Sequence, residues 1–135
     1  MIRLLAIFAL FLFCGFSCSK DEEDVSPLEK DPAPVTMVEM PETAVVGQTV
    51  TANIYFVVNN SCGNFGSFDV STDQMTYTIK VFPKYVGETC AMYLPTRQVN
   101  YSFKPEKPGI YILKFQAAGE NQYITKTLVV IKAGS

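Results

Sequence analysis

Hydrophobic and polar positions fall into three regimes along this chain. Behind Arg3, residues Leu4 to Phe13 form an unbroken apolar run; residues 19–34 are polar and punctuated by Pro27, Pro32 and Pro34; from residue 35 onward apolar and polar residues alternate between turn signals. The first regime has the pattern of a secretory leader, since a membrane-crossing helix needs roughly 20 apolar residues and different flanks. An uncleaved anchor helix is the weaker alternative. The third regime has the period of two expected of strands with one buried face. It predicts seven strands, over Val35–Met40, Thr49–Val58, Asn64–Ser71, Met75–Pro83, Arg97–Lys104, Ile110–Ala117 and Gln122–Lys132. The second of these is entered through the turn Val46-Gly47-Gln48 and presents Val50, Ala52, Ile54, Phe56 and Val58 on one face. With Val99, Tyr101, Phe103, Tyr111, Leu113, Phe115 and Ala117 they make the expected core. The last strand has no clean phase, because Lys126 falls between Ile124 and Leu128, and a bulge would reconcile it. The expected organisation is a leader over residues 1–17, a disordered tether over 18–34 and one all-β antiparallel sandwich over 35–135.

Composition narrows the class. A chain of 135 residues has room for one domain, and the portion after the tether has the usual size of a seven-stranded sandwich. The overall charge of −2 conceals an asymmetry. Residues 19–34 carry six acids (Asp21, Glu22, Glu23, Asp24, Glu29, Asp31) against Lys20 and Lys30, whereas residues 35–135 carry eight bases and seven acids. A near-neutral domain lacks the basic footprint of a nucleic-acid binder, so no nucleic-acid partner is expected.

The leader closes on Cys14-Gly15-Phe16-Ser17-Cys18-Ser19-Lys20-Asp21-Glu22-Glu23-Asp24. Here the sequence resembles bacterial lipoproteins, in which a small residue precedes a cysteine that receives a diacylglycerol. Ser17 and Cys18 match those positions, while bulky Phe13 before Cys14 disfavours the earlier thiol. The resemblance implies lipidation of Cys18 and attachment to the membrane through acyl chains, each buried methylene contributing ~0.8 kcal/mol. Lys20, Asp21, Glu22, Glu23 and Asp24 resemble the acidic export signal of Bacteroidota-type lipoproteins, which implies an outer-membrane location at the cell surface. Read without the resemblance, such a run is an ordinary solvated spacer.

The turn Lys104-Pro105-Glu106-Lys107-Pro108-Gly109-Ile110-Tyr111 resembles the corner of immunoglobulin-like domains that precedes the sixth strand. The resemblance implies an immunoglobulin-like sandwich in which the Tyr111 hydroxyl bonds the corner backbone. The tyrosine is a structural feature on either reading.

Beyond the leader and Cys18 only Cys62 and Cys90 remain. An exported chain with two cysteines invites a disulfide. If the strands alternate in direction, the connections holding Cys62 and Cys90 share one end of the sandwich, so the strand assignment independently permits the bond. Free buried thiols are the bland alternative. A metal site is disfavoured, because the chain has no histidine and two cysteines do not complete a zinc set.

The same end gathers Asn59-Asn60-Ser61-Cys62-Gly63-Asn64-Phe65-Gly66-Ser67-Phe68 and the long connection Tyr85 to Thr96. Loops on a rigid end are common recognition surfaces. Phe65 and Phe68 are expected to plug the core rather than to recognise anything, and Leu94 can do the same. Met92, Tyr93 and Arg97 divide evenly between packing and binding.

No catalytic constellation is visible. Without histidine there is no Ser-His or Cys-His pair, and Asp69, Asp73, Glu88 and Glu106 are scattered, with Glu88 at the opposite end from the turn flanked by Asp69 and Asp73. There is no glycine-rich phosphate loop, and no cofactor is expected. The expected function is a non-catalytic binding or adhesion module on a lipid anchor, with a protein or glycan ligand. The alternative is a structural subunit of an envelope complex, which Ile110, Ile112, Val57 and Tyr55 on outward strand phases keep open.

Overall fold

The structure, a computed structural model, describes residues 26–134. Eight strands form two sheets: β1 (Val35–Glu39), β2 (Thr43–Val45), β3 (Val50–Val57), β4 (Gly63–Asp73), β5 (Thr76–Tyr85), β6 (Thr96–Phe103), β7 (Gly109–Gln116) and β8 (Tyr123–Ile131). The sheet β1-β3-β6 packs on the sheet β2-β8-β7-β5-β4. This is an all-β sandwich, and every strand expected from the alternation is present within a few residues of its expected bounds.

The core follows the predicted phase. Val50, Ala52, Ile54, Phe56 and Val58 are all buried, as are Tyr111, Leu113 and Phe115. Val99, Tyr101 and Phe103 are half-buried and join a run of aromatic contacts. Tyr101 meets Phe68 edge-on with ring centroids 5.3 Å apart, and Phe103 lies 5.5 Å from Tyr77. Burial, with the Tyr77 hydroxyl adding to it, holds the Tyr101 hydroxyl above its usual pKa. Phe65 and Phe68 are three positions apart and would face opposite ways in an unbroken strand. A bulge between Phe65 and Ser67 turns both rings inward, where their centroids stand 4.6 Å apart. Gly66 permits this, since a Cβ there would meet the Phe82 carbonyl oxygen at 2.9 Å. Both phenylalanines therefore plug the core.

Several expectations need correction. The pairing is not wholly antiparallel: β2 runs parallel to β8, and β5 parallel to β7. In immunoglobulin constant-type sandwiches the third strand lies beside the sixth; here the β4–β5 hairpin is turned so that its second strand, β5, takes the inner place. The compositions explain the exchange. β5 buries Ile79, Val81 and Pro83, whereas β4 is largely exposed and carries Asp69, Ser71, Thr72 and Asp73, residues suited to an edge. β2 had no signal in the alternation, because three residues are too few to show a period. Nor is there a bulge in β8: its ladder with β7 is regular from Tyr123 to Val130, with Lys126 opposite Leu113 and only half-buried. Ala117, expected in the core, is half-buried, and Gln116 is buried instead.

The largest correction concerns the tether. Residues 27–34, expected to be disordered, are packed against the domain. Pro27–Glu29 form a 3-10 turn capped by the Ser26 hydroxyl, and the Tyr85 backbone N–H donates to Glu29 Oε1 at 2.7 Å. β5 and β7 pair only from Thr76 to Ile79, then part; the Ala33 N–H takes up the vacated edge by donating to the Val81 carbonyl at 2.7 Å. Ala33 is buried, and so is Gln116 beside this segment, with its Oε1 unbonded. The chain then crosses to the other sheet, where the Pro34 carbonyl accepts from the Val57 N–H. The packed domain thus includes residues 26–34 and does not start at residue 35.

Candidate functional site

The two ends of the sandwich are built differently. At one end stand the β4–β5 turn and the corner before β7, where the Tyr111 hydroxyl donates to the Lys107 carbonyl at 2.8 Å, as the immunoglobulin-like resemblance implies. At the other end meet the β3–β4, β5–β6 and β7–β8 connections, because β3 and β5 finish there while β4 and β6 begin there: Val57 lies opposite Thr96, and Gly63 opposite Tyr85.

The disulfide Cys62–Cys90 joins two of these connections, with Cα atoms 5.4 Å apart. Further bonds hold the same pair of loops. The Ser61 N–H donates to the Ala91 carbonyl at 3.0 Å and the Ala91 N–H returns to Ser61 Oγ at 2.7 Å. The Val86 N–H donates to the Cys62 carbonyl, the Cys62 N–H to Asn60 Oδ1, and the Asn59 N–H to the Tyr85 hydroxyl. Gly87 has a φ of +131°, and a Cβ there would stand 2.9 Å from Cys62 Sγ, so glycine is required on both counts.

This scaffold presents an apolar tip. Met92 is 87 % exposed, Val86 70 %, Leu94 67 % and Tyr93 55 %. Met92 and Tyr93 stand at the tip as proposed from the sequence. Leu94 does not plug the core. Arg97 is different: its Nε donates to the Gly63 carbonyl at 2.9 Å and its Nη2 to the Ser61 carbonyl at 3.0 Å, so the guanidinium braces the β3–β4 loop from beneath. Sequence reasoning did not single out Val86, Gly87 or Ser61. A glycine three positions before Cys90 was the one local sign of a tight approach.

The remaining sequence-level sites are quickly placed. Cys18, Lys20, Asp21, Glu22, Glu23 and Asp24 lie outside the described residues. Asp69 and Asp73 sit on exposed positions of the β4 edge, Glu106 lies at the corner before β7, and Glu88 is in the β5–β6 connection at the other end. Among the described residues no three His, Cys, Asp or Glu side chains stand close enough to share a metal ion, and no helix is long and apolar enough to cross a membrane. A depression of about 460 Å³ lies where the chain crosses from β1 to β2, lined by Met40, Pro41, Glu42, Thr43, Thr125, Lys126, Thr127 and Val129. It is remote from the disulfide and holds one base and one acid.

In comparison with known proteins, the family model described as the ORF11 beta-sandwich domain matches residues 52–130, which run from within β3 to within β8 and include both domain cysteines. No curated protein and no solved structure matches the chain.

Proposed function

The chain belongs to the ORF11 beta-sandwich domain family, and from that premise we propose that it is a lipid-anchored outer-membrane protein whose sandwich is a non-catalytic binding module working through its disulfide end. One observation carries this reading: four large apolar side chains (Val86, Met92, Tyr93, Leu94) stand exposed on a connection fixed by a disulfide. Exposing apolar surface forgoes about 25 cal/mol per Å² of burial. A loop whose geometry is already fixed loses little conformational freedom on binding, and that improves affinity. The anchor reading is supported by the Ser17-Cys18 junction and by the acidic run Asp21 to Asp24 after it.

Two experiments test the anchor. Cys18→Ala should abolish incorporation of labelled fatty acid, and labelling that persists at the wild-type level would remove the assignment. Replacing Asp21, Glu22, Glu23 and Asp24 together with Ala should keep the label but abolish cleavage by protease added to intact cells. Unchanged cleavage would leave the run as a spacer.

A second reading, a subunit of an envelope complex, is favoured by one observation. Ile110, Ile112, Val129 and Ile131 are exposed on the outer face of the larger sheet, with Ile110 directly opposite Val129.

A further inference from the structure

We propose that the tip of the β5–β6 connection is seated in the interfacial layer of the bilayer that anchors the chain, so that the surface it binds is lipid. This deepens the binding reading above and rests on Cys18 as the lipidated residue. Glu29 accepts the backbone N–H of Tyr85, the residue immediately before exposed Val86, so the chain leaves the fold beside the tip.

Length then decides orientation. Cys18 and Ser26 are eight residues apart, a span of at most ~26–29 Å when fully extended. The eleven residues of β4 run about 33 Å from Gly63, beside the disulfide, to the opposite end of the sandwich. A tether of that reach cannot pass the domain's own length and turn the disulfide end away from the membrane. Had the tether extended to residue 34, about 55 Å would have been available and either orientation open. Ordering of residues 27–34 removes that freedom and keeps the tip on the membrane side.

The chemistry of the tip suits that position. Tyr belongs among the side chains enriched at the level of the lipid headgroups, its ring in the apolar layer and its hydroxyl in the wet one. Met92, Leu94 and Val86 supply aliphatic surface without charge. Lys84, near the end of β5, and Glu88, in the connection, bracket Val86 and offset each other, so no electrostatic attraction to anionic lipid is built into the tip. In zwitterionic vesicles the contact should therefore be insensitive to salt.

The chain contains no tryptophan, which makes the test direct. The lipidated full mature protein carrying Tyr93→Trp is reconstituted in phosphatidylcholine and phosphatidylethanolamine vesicles, beside an Ile110→Trp protein that reports from the opposite end. The expected result is a blue-shifted Tyr93→Trp emission, quenched by shallowly brominated lipid and shielded from aqueous iodide, with Ile110→Trp in water. Leu94→Trp should repeat the result, and added salt should not reverse it. Emission from Tyr93→Trp as water-like and iodide-sensitive as that from Ile110→Trp would overturn the proposal. So would a shift seen only in native envelopes and not in vesicles, which would assign the tip to a protein. Fatty-acid label measured on the same sample separates the two failures: label with a water-exposed tip sinks the lipid contact alone, while missing label sinks the anchor beneath it.

Discussion

Two exposed apolar surfaces stand on this molecule, and they have different physical origins. On the outer face of the larger sheet, Ile110, Ile112 and Val129 occupy outward phases of a regular ladder between β7 and β8, and Ile131 continues that face where β8 pairs with β2. All four are β-branched, the residues that best fit a pleated strand, and the directly opposed pair Ile110 and Val129 stabilises the sheet by contact across it. Their exposure has a sufficient structural cause. At the disulfide end, Met92, Tyr93 and Leu94 lie in an irregular connection where nothing in the backbone asks for a large apolar side chain, and where polar residues are the ordinary occupants. An apolar residue at a position with no propensity reason is stronger evidence of a surface to be covered. The ladder face is one that β-structure produces unaided; the tip is one the fold has been reinforced to hold out.

The two regions also differ in what keeps them in shape, and this is where the comparison can be broken. The outer face depends on a continuous ladder of backbone hydrogen bonds, whereas the tip depends on the disulfide, a few side chains and isolated backbone bonds between two loops. The largest expected effect is from Cys90→Ser, which removes the bond between the two loops. In the chain-entropy account the loss is about 3–4 kcal/mol as an upper figure, read as a fall in melting temperature and as faster amide exchange at Ser61, Val86 and Ala91, with β7 and β8 protected as before. Exchange that quickens equally throughout both regions would show that the disulfide stabilises the sandwich as a whole.

Next comes Arg97→Ala. Two hydrogen bonds from a guanidinium to the Ser61 and Gly63 carbonyls are lost, each such charge-assisted bond contributing about 1.5–3 kcal/mol. We expect chemical denaturation to show a destabilisation nearer the lower value, since Arg97 is only half-buried and water can replace part of what is removed. Arg97→Lys should not rescue it, because an ammonium cannot reach two carbonyls with the geometry of the planar fork. Full stability in Arg97→Ala would return this residue to the pool of binding candidates. At the opposite end, Tyr111→Phe removes one neutral bond to Lys107, and the expected cost is about 0.5–1.5 kcal/mol, measured in the same denaturation series.

How much of this was readable beforehand follows from which interactions are local. The alternation of Val50, Ala52, Ile54, Phe56 and Val58 announces β3 because side-chain direction has a period of two whatever the strand pairs with. The placement of Cys62 and Cys90 at one end needed only the count of strand reversals between them. The rank of β5 beside β7 was hidden, because a hairpin can dock by either edge and the choice is made by distant residues. The ordering of residues 27–34 was hidden too: Pro27, Pro32 and Pro34 read as a stiff spacer, and nothing local says that Ala33 fills the gap where β5 and β7 part. Arg97 shows the same limit for the site, since a letter gives the charge of a side chain but not the carbonyls it turns toward. Val86 and Leu94 differed from core residues only in having no strand beneath them.

The smallest effect on stability carries the most information about function. Tyr93→Ala changes a side chain more than half exposed and should move the unfolding free energy by no more than about 0.5 kcal/mol. Ile110→Ser also gives up the contact with Val129 and should cost about 0.2–1 kcal/mol. Because the fold is unharmed in both, any difference between them in attachment belongs to the surface altered. If the tip is the working surface, Tyr93→Ala should lose contact energy of about 1–2 kcal/mol, the range for truncating an aromatic anchor. In fractionated envelopes this appears as a tip newly open to protease cutting within residues 86–96, while Ile110→Ser leaves that segment protected. If the ladder face is the working surface, the pattern reverses: Ile110→Ser abolishes cross-linking to a neighbouring envelope protein, and Tyr93→Ala changes nothing. The second pattern would transfer the binding function to β7 and β8. It would leave the disulfide, Arg97 and Gly87 as the means by which a chain tethered at this end keeps its long connections from unravelling.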